Sequence, residues 1–278
     1  MFTFCISTHN NLNYLKIAVD SVRKNSFYKD YPFIIHAENC DDGTNEWLKS
    51  NQLNYNLEFY IDKNNSPKGI GGGMNFCAEK TQTDYINFLH SDFYVAPNWD
   101  KVLFDLAKEN SSTPIWVNSW RVEPQMFAGS QTTPGNLVVP QSQFGSFYHN
   151  FESDNFNSFA ENLSKNNDIS IPRGLGVSGL IKKTDWDMIG GNDPIFAPTS
   201  WDDHDLFLRM HKANFTFITT SKSIVFHFGA RGSHRLEENN GMSSERQMKH
   251  EHINRQKFIN KWGGLPKFDN VGQIVGVE

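Results

Sequence analysis

Along the first hundred residues, short apolar runs alternate with amphipathic stretches. Phe2-Thr3-Phe4-Cys5-Ile6-Ser7, Phe33-Ile34-Ile35-His36, Leu57-Glu58-Phe59-Tyr60-Ile61 and Tyr85-Ile86-Asn87-Phe88-Leu89 each have the length and composition of a strand. Between the first two, Leu12, Leu15, Val19 and Val22 recur on one helical face, with Asn10 or Asn11 placed to cap it. Asp42 is placed to cap a second helix that carries Trp47 and Leu48. A third opens at the cluster Gly69-Ile70-Gly71-Gly72-Gly73 and runs through Met74, Phe76 and Cys77. Strands alternating with helices imply parallel βαβ units with right-handed crossovers, hence an α/β fold around a mostly parallel sheet. In such sheets ligands bind beyond the carboxyl ends of the strands. The loops to watch are therefore Thr8-His9-Asn10, 38–44, 67–73 and His90-Ser91-Asp92.

The periodicity then fades. Residues 121–170 are rich in Asn, Gln, Ser and Phe and punctuated by Pro124, Pro134 and Pro140, the mark of an irregular insertion. Regular spacing returns over 175–181, over a helix at 203–213 and over a strand at 223–228. This gives one domain over 1–236 and a charged tail over 237–278, helical in its middle and packed on the same domain.

Composition narrows the function. A net charge of −5 over 278 residues excludes a general nucleic-acid binder, which needs a basic face. No run approaches the ~18 apolar residues that span a bilayer, and the strand-like start has no leader pattern, so the mature chain is expected to begin at residue 1. Cys5, Cys40 and Cys77 lie far apart without metal spacing, which fits structural thiols in a reducing, cytoplasmic compartment.

Three segments carry candidate chemistry. Asp92 follows an apolar strand, where a carboxylate can hold Mn²⁺ or Mg²⁺ against a leaving diphosphate; the plainer alternative is a turn cap. His90, two residues earlier, shares that side as a further ligand or as pocket wall. Asp202-Asp203-His204-Asp205 opens a helix, where acids suit the dipole. Three acids in four positions exceed one cap, and their repulsion can keep one carboxylate basic near neutral pH. Asp203 is the expected base, Asp202 its close competitor, and Asp205 orients Asp203 or faces the acceptor. His227 ends the strand Ile224-Val225-Phe226 as a further metal ligand, and Arg231 and Arg235 beyond it are placed to clamp phosphate oxygens. Glu38 is expected to face a ribose or base. Gly69, in a cluster whose spacing is not a dinucleotide fingerprint, lets backbone approach a nucleotide or sugar. His250-Glu251-His252 reads as solvated surface.

Taken in order, Ser7-Thr8-His9-Asn10, Asp42-Gly43-Thr44, Asn75, Leu89-His90-Ser91-Asp92, Asp202-Asp203-His204-Asp205-Leu206 and Phe258-Ile259-Asn260-Lys261-Trp262-Gly263 resemble the family-two glycosyltransferases over nearly the whole chain. The resemblance implies a GT-A fold with a nucleotide-binding half over 1–100 and an acceptor and catalytic half over 171–236, while the irregular stretch 121–170 reads either as an acceptor-facing insertion or as structural padding. It implies an inverting transfer from a nucleotide-sugar donor, UDP by family habit, to a glycan or lipid-linked glycan, with peripheral contact at the inner face of the membrane. Thr8, Asn10 and Glu38 would line the nucleotide pocket, Asp92 would match the last acid of an Asp-x-Asp metal motif, Asp203 the base and His227 a third metal contact. His90 stands where the first aspartate of that motif is usual, which keeps open a nucleotide-sugar-binding or scaffold relative with weakened catalysis. A sugar nucleotidyltransferase would need glycine and lysine after the first strand, and Thr8-His9-Asn10-Asn11 has neither.

Overall fold

The computed structural model describes residues 1–126, 130–176, 178–229 and 243–278. Its strands are β1 Phe2–Thr8, β2 Phe33–Glu38, β3 Glu58–Asp62, β4 Tyr85–His90, β5 Phe93–Val95, β6 Ile115–Pro124, β7 Asn136–Val139, β8 Ser170–Ile171, β9 Gly179–Lys182, β10 Thr216–His227, β11 Pro266–Phe268 and β12 Ile274–Val277. The helices are α1 Leu12–Asn25, α2 Thr44–Tyr55, α3 Gly69–Lys80, α4 Trp99–Glu109, α5 Gln141–Phe144, α6 Ser153–Asn166, α7 Lys183–Ile189, α8 Asp202–Lys212 and α9 Glu245–Trp262.

The main sheet runs in the order β3-β2-β1-β4-β9-β6-β10-β5, with β7 on β6 and β8 on β10. Strands β1 to β4 are mutually parallel, as the βαβ pattern requires. Antiparallel β9 joins this half to parallel β6 and β10. Alternation along β1 divides its side chains between two layers. Phe4 and Ile6 pack with α1, α2 and α4 residues such as Val19, Leu48 and Leu103. Cys5 packs on the other face with Met74 of α3, Leu206 of α8 and Phe258 of α9. The three cysteines are free and buried.

Within 121–170, irregular connections alternate with β7, α5 and α6. Phe144 and Phe156 join Phe226 and Phe228 in a third cluster, so the phenylalanines that obscured the periodicity are core contacts of short elements. The tail is anchored: Phe258 and Ile274 are fully buried.

Two registers decide what meets at the carboxyl end of the sheet. Antiparallel pairing of β10 with β5 sets His227 opposite Phe93, and the Phe228 amide donates to the Asp92 carbonyl at 3.1 Å. Parallel pairing with β6 sets Phe226 opposite Val122, one residue from Glu123. Residues more than a hundred positions apart in sequence thereby become neighbours.

Candidate active site

A cavity of about 340 Å³ opens beyond the carboxyl ends of β1 and β4. Thr8, Glu38, Gly69, His90, Asp92, Asp202, Asp203 and His227 all reach its wall. Of the twelve residues picked out in the sequence, ten lie among the described parts of the chain and eight of those reach the wall: Arg231 and Arg235 lie outside the described residues, while Asn10 and Asp205 are not on the wall.

Asp92, in the turn between β4 and β5, is buried. It meets His227 with Nε2 3.3 Å from Oδ2. His90 stacks on Phe93 with ring centroids 5.5 Å apart, and its buried Nε2 has no hydrogen-bond partner. One ligand atom from each of His90, Asp92 and His227 lies within 4.8 Å of the others. Two imidazoles and a carboxylate around an unpartnered nitrogen fit a divalent cation. The nitrogen-rich set favours Mn²⁺ over Mg²⁺, which prefers oxygen. Burial depresses His90 to about 4 against the pull of Asp92, so its ring is neutral, the form that ligates. Burial also opposes charge on His227, but Asp92 and Glu123 outweigh it and lift the ring to about 9.

Asp202 and Asp203 occupy the first turn of α8, entered through Ser200 and Trp201 at φ 73° and 69°. Left-handed backbone at two non-glycine residues costs about 1–2 kcal/mol each. The loop is held by buried Asn254 of α9, whose Nδ2 donates to the carbonyls of Phe196 at 2.6 Å, Thr199 at 2.7 Å and Ser200 at 3.1 Å. Burial and then the neighbouring Asp203 push Asp202 up to about 7. Asp203 is lowered to about 2: burial opposes this, but His204 overrides it, with its amide and Nδ1 both 2.7 Å from Asp203 Oδ1. The pair therefore holds one carboxylate that stays ionised, Asp203, beside one that keeps a proton to near neutral pH, Asp202.

Two expectations, for Asp205 and Asn10, are corrected, and Glu38 gains a second role. Asp205 neither orients Asp203 nor faces the cavity. It is buried, with Arg209 Nε at 2.8 Å, Trp262 Nε1 at 2.9 Å and Lys261 Nζ at 2.6 Å, and so ties α8 to α9. Glu38 reaches the wall, yet its carboxylate accepts from the amides of Lys68 at 2.9 Å and Gly69 at 2.8 Å and from Asn64 Nδ2 at 2.7 Å, which caps α3. Asn10 turns away and accepts from the Asp41 amide at 2.9 Å, while Asn11 takes the place on the wall. Gly69 serves close packing: at φ +69°, a Cβ there would lie 1.7 Å from the Pro198 carbonyl oxygen.

Sequence reasoning passed over Arg121, Arg246 and His250, all on the wall. His250 was read as solvated with Glu251 and His252. Arg246 and His250 stand one turn apart on α9, and that i, i+4 spacing was the available signal.

The sequence profile described as Glycosyl transferase family 2 matches residues 3–168, more than half of the chain. The chain belongs to glycosyl transferase family 2. A search of curated proteins brings up no match. Among solved structures, S. aureus TarS is similar at 13% identity and a TM-score of 0.56, over 81% of this chain and 36% of that one. GalNAc-T7, solved with UDP, GalNAc and Mn²⁺, is similar at 14% identity and a TM-score of 0.59, over 82% of this chain and 43% of that one. A shorter TarS structure, residues 1–349 in complex with UDP, gives 13% identity and a TM-score of 0.54 over 94% of this chain and 72% of that one. This chain therefore spans less than half the length of the first two. At such identities the likeness establishes the fold, which is of the GT-A type.

Proposed function

We propose that this family-two chain transfers a sugar, with inversion, from a nucleoside-diphosphate donor to a hydroxyl of a glycan or lipid-linked glycan. The observation that carries the reading is that the cluster of His90, Asp92 and His227 lines the same cavity as Asp202 and Asp203. A divalent cation, Mn²⁺ by the donor set, would be held by the first group and would offset charge on the diphosphate. UDP is the proposed nucleotide, supported by the UDP in the TarS and GalNAc-T7 structures.

Asp203, ionised and on the wall, takes the proton of the acceptor hydroxyl, and Asp202 beside it limits how much negative charge the pair carries. The half over 1–100 receives the donor, and residues 121–170 with 171–236 form the acceptor side. No helix among the described residues is long and apolar enough to cross a membrane; the proposed place of action is the cytoplasm, at the inner membrane face for a lipid-linked acceptor.

The test is binding and slow hydrolysis of a panel of nucleotide sugars with and without Mn²⁺. One donor bound and hydrolysed only with the ion supports the transferase. Metal-independent turnover removes the ion from the reading, and binding without turnover in the presence of acceptors favours a non-catalytic relative.

A further inference from the structure

The third side of His227 faces β6. Its Nδ1 lies 2.5 Å from Glu123 Oε1, while its Nε2 points toward Asp92. Glu123 is itself fixed: Asn136 Nδ2 of β7 donates to its Oε2 at 2.7 Å, and Arg121 Nε lies 3.2 Å from its Oε1. We propose that Glu123 is a positioning residue that holds His227 with Nδ1–H toward β6 and the Nε2 lone pair toward the cation site. The inference rests on the metal-assisted reading above and names a residue outside the three proposed ligands.

The physical argument is one of direction. Ligation takes the neutral imidazole, so the Nε2 proton that faces Asp92 in the ion-free ring leaves as the cation binds, and Nδ1 keeps the other. An acceptor at Nδ1 selects the tautomer whose Nε2 lone pair can go to a cation, fixes the ring plane and raises the basicity of the ligating nitrogen. Asn136 holds Oε2 and Arg121 shares Oε1 with the ring, so the carboxylate cannot swing away without leaving the buried Asn136 amide unpaired. The same contacts give β7, from the stretch of weak periodicity, a part in shaping the site.

The experiment is titration of the full chain with Mn²⁺ alone, followed by the electron paramagnetic resonance of free Mn²⁺, for wild type, Asp92→Asn, Glu123→Gln and Glu123→Ala. Loss of binding in Asp92→Asn establishes the site; unchanged binding there, or none in wild type, overturns the metal reading and this inference with it. With the site established, Glu123→Ala is expected to weaken Mn²⁺ binding about 10- to 100-fold. Glu123→Gln, which keeps an acceptor oxygen for Nδ1–H, is expected to restore part of that loss. The metal-free thermal midpoint, measured alongside, separates stability from affinity. If Ala and Gln both bind Mn²⁺ as wild type does, Glu123 is structural and the inference fails while the metal reading stands. Should the Ala chain not fold, the near-isosteric Gln variant decides: affinity equal to wild type overturns the proposal, and a several-fold loss upholds it.

Discussion

At the residue scale, the two carboxylates that open α8 have opposite environments, and that makes them separable. Replacing Asp203 with Asn keeps the shape and removes the proposed proton acceptor. We expect kcat to fall about 10²- to 10⁴-fold, with donor affinity measured by calorimetry nearly unchanged; loss of donor binding would instead place Asp203 in the donor site. Asp202 supplies a test through stability. Its pKa is about 7 in the folded chain against 3.8 for an unperturbed aspartate. The folded state therefore holds a proton that the unfolded chain releases, and the resulting stabilisation is present below about pH 4 and lost as pH rises through 7. Asp203, shifted the other way, loses its own contribution only as pH falls from about 4 toward 2, outside that window. Asp202→Asn should thus gain stability relative to wild type between pH 4 and 7, read from thermal midpoints. A constant difference across that range would refute the raised pKa.

At the scale of elements, the loop before α8 depends on α9. Asn254 donates to three carbonyls around the left-handed pair Ser200 and Trp201. Asn254→Ala leaves buried carbonyls without their donor, and we expect a loss of about 1–3 kcal/mol in chemical denaturation. Turnover should fall further than donor affinity, because this loop aims the carboxylates. Equal stability in the variant would show that the strain is relieved elsewhere. Gly69→Ala is expected to be worse tolerated, since its Cβ would meet backbone rather than a movable side chain. These couplings also show where sequence reading stops. Asp42 was legible as a local cap: it accepts from the Thr44 amide two residues on. Glu38 was not, because the amides it caps lie thirty residues ahead in α3. Asp205 sits among acids that looked alike, and only the approach of Arg209, Lys261 and Trp262 makes it an anchor.

At the scale of the whole molecule, the proposed cation site is assembled from β4, the turn after it and β10, so occupancy should report on the folded state. Mn²⁺ at 100 times its dissociation constant should stabilise the chain by about 2.7 kcal/mol. The rise in thermal midpoint should disappear in Asp92→Asn and shrink in His90→Ala; an equal rise in both variants would put the ion elsewhere. The alternation of strands and helices, the two-faced burial of β1 and the order of Asp92, Asp202, Asp203 and His227 were legible because they follow from periodicities of two and 3.6 and from the side-chain chemistry of short segments. Sequence determined, by itself, the α/β class and the residue types available to bind a cation and take a proton. Tertiary structure alone decided which of them meet. The pairing of β10 with β5 and β6 brings His227 to Asp92 and Glu123, and the packing of α9 brings Arg246 and His250 to the cavity. Such contacts join segments far apart along the chain, and no local pattern encodes the distance between them.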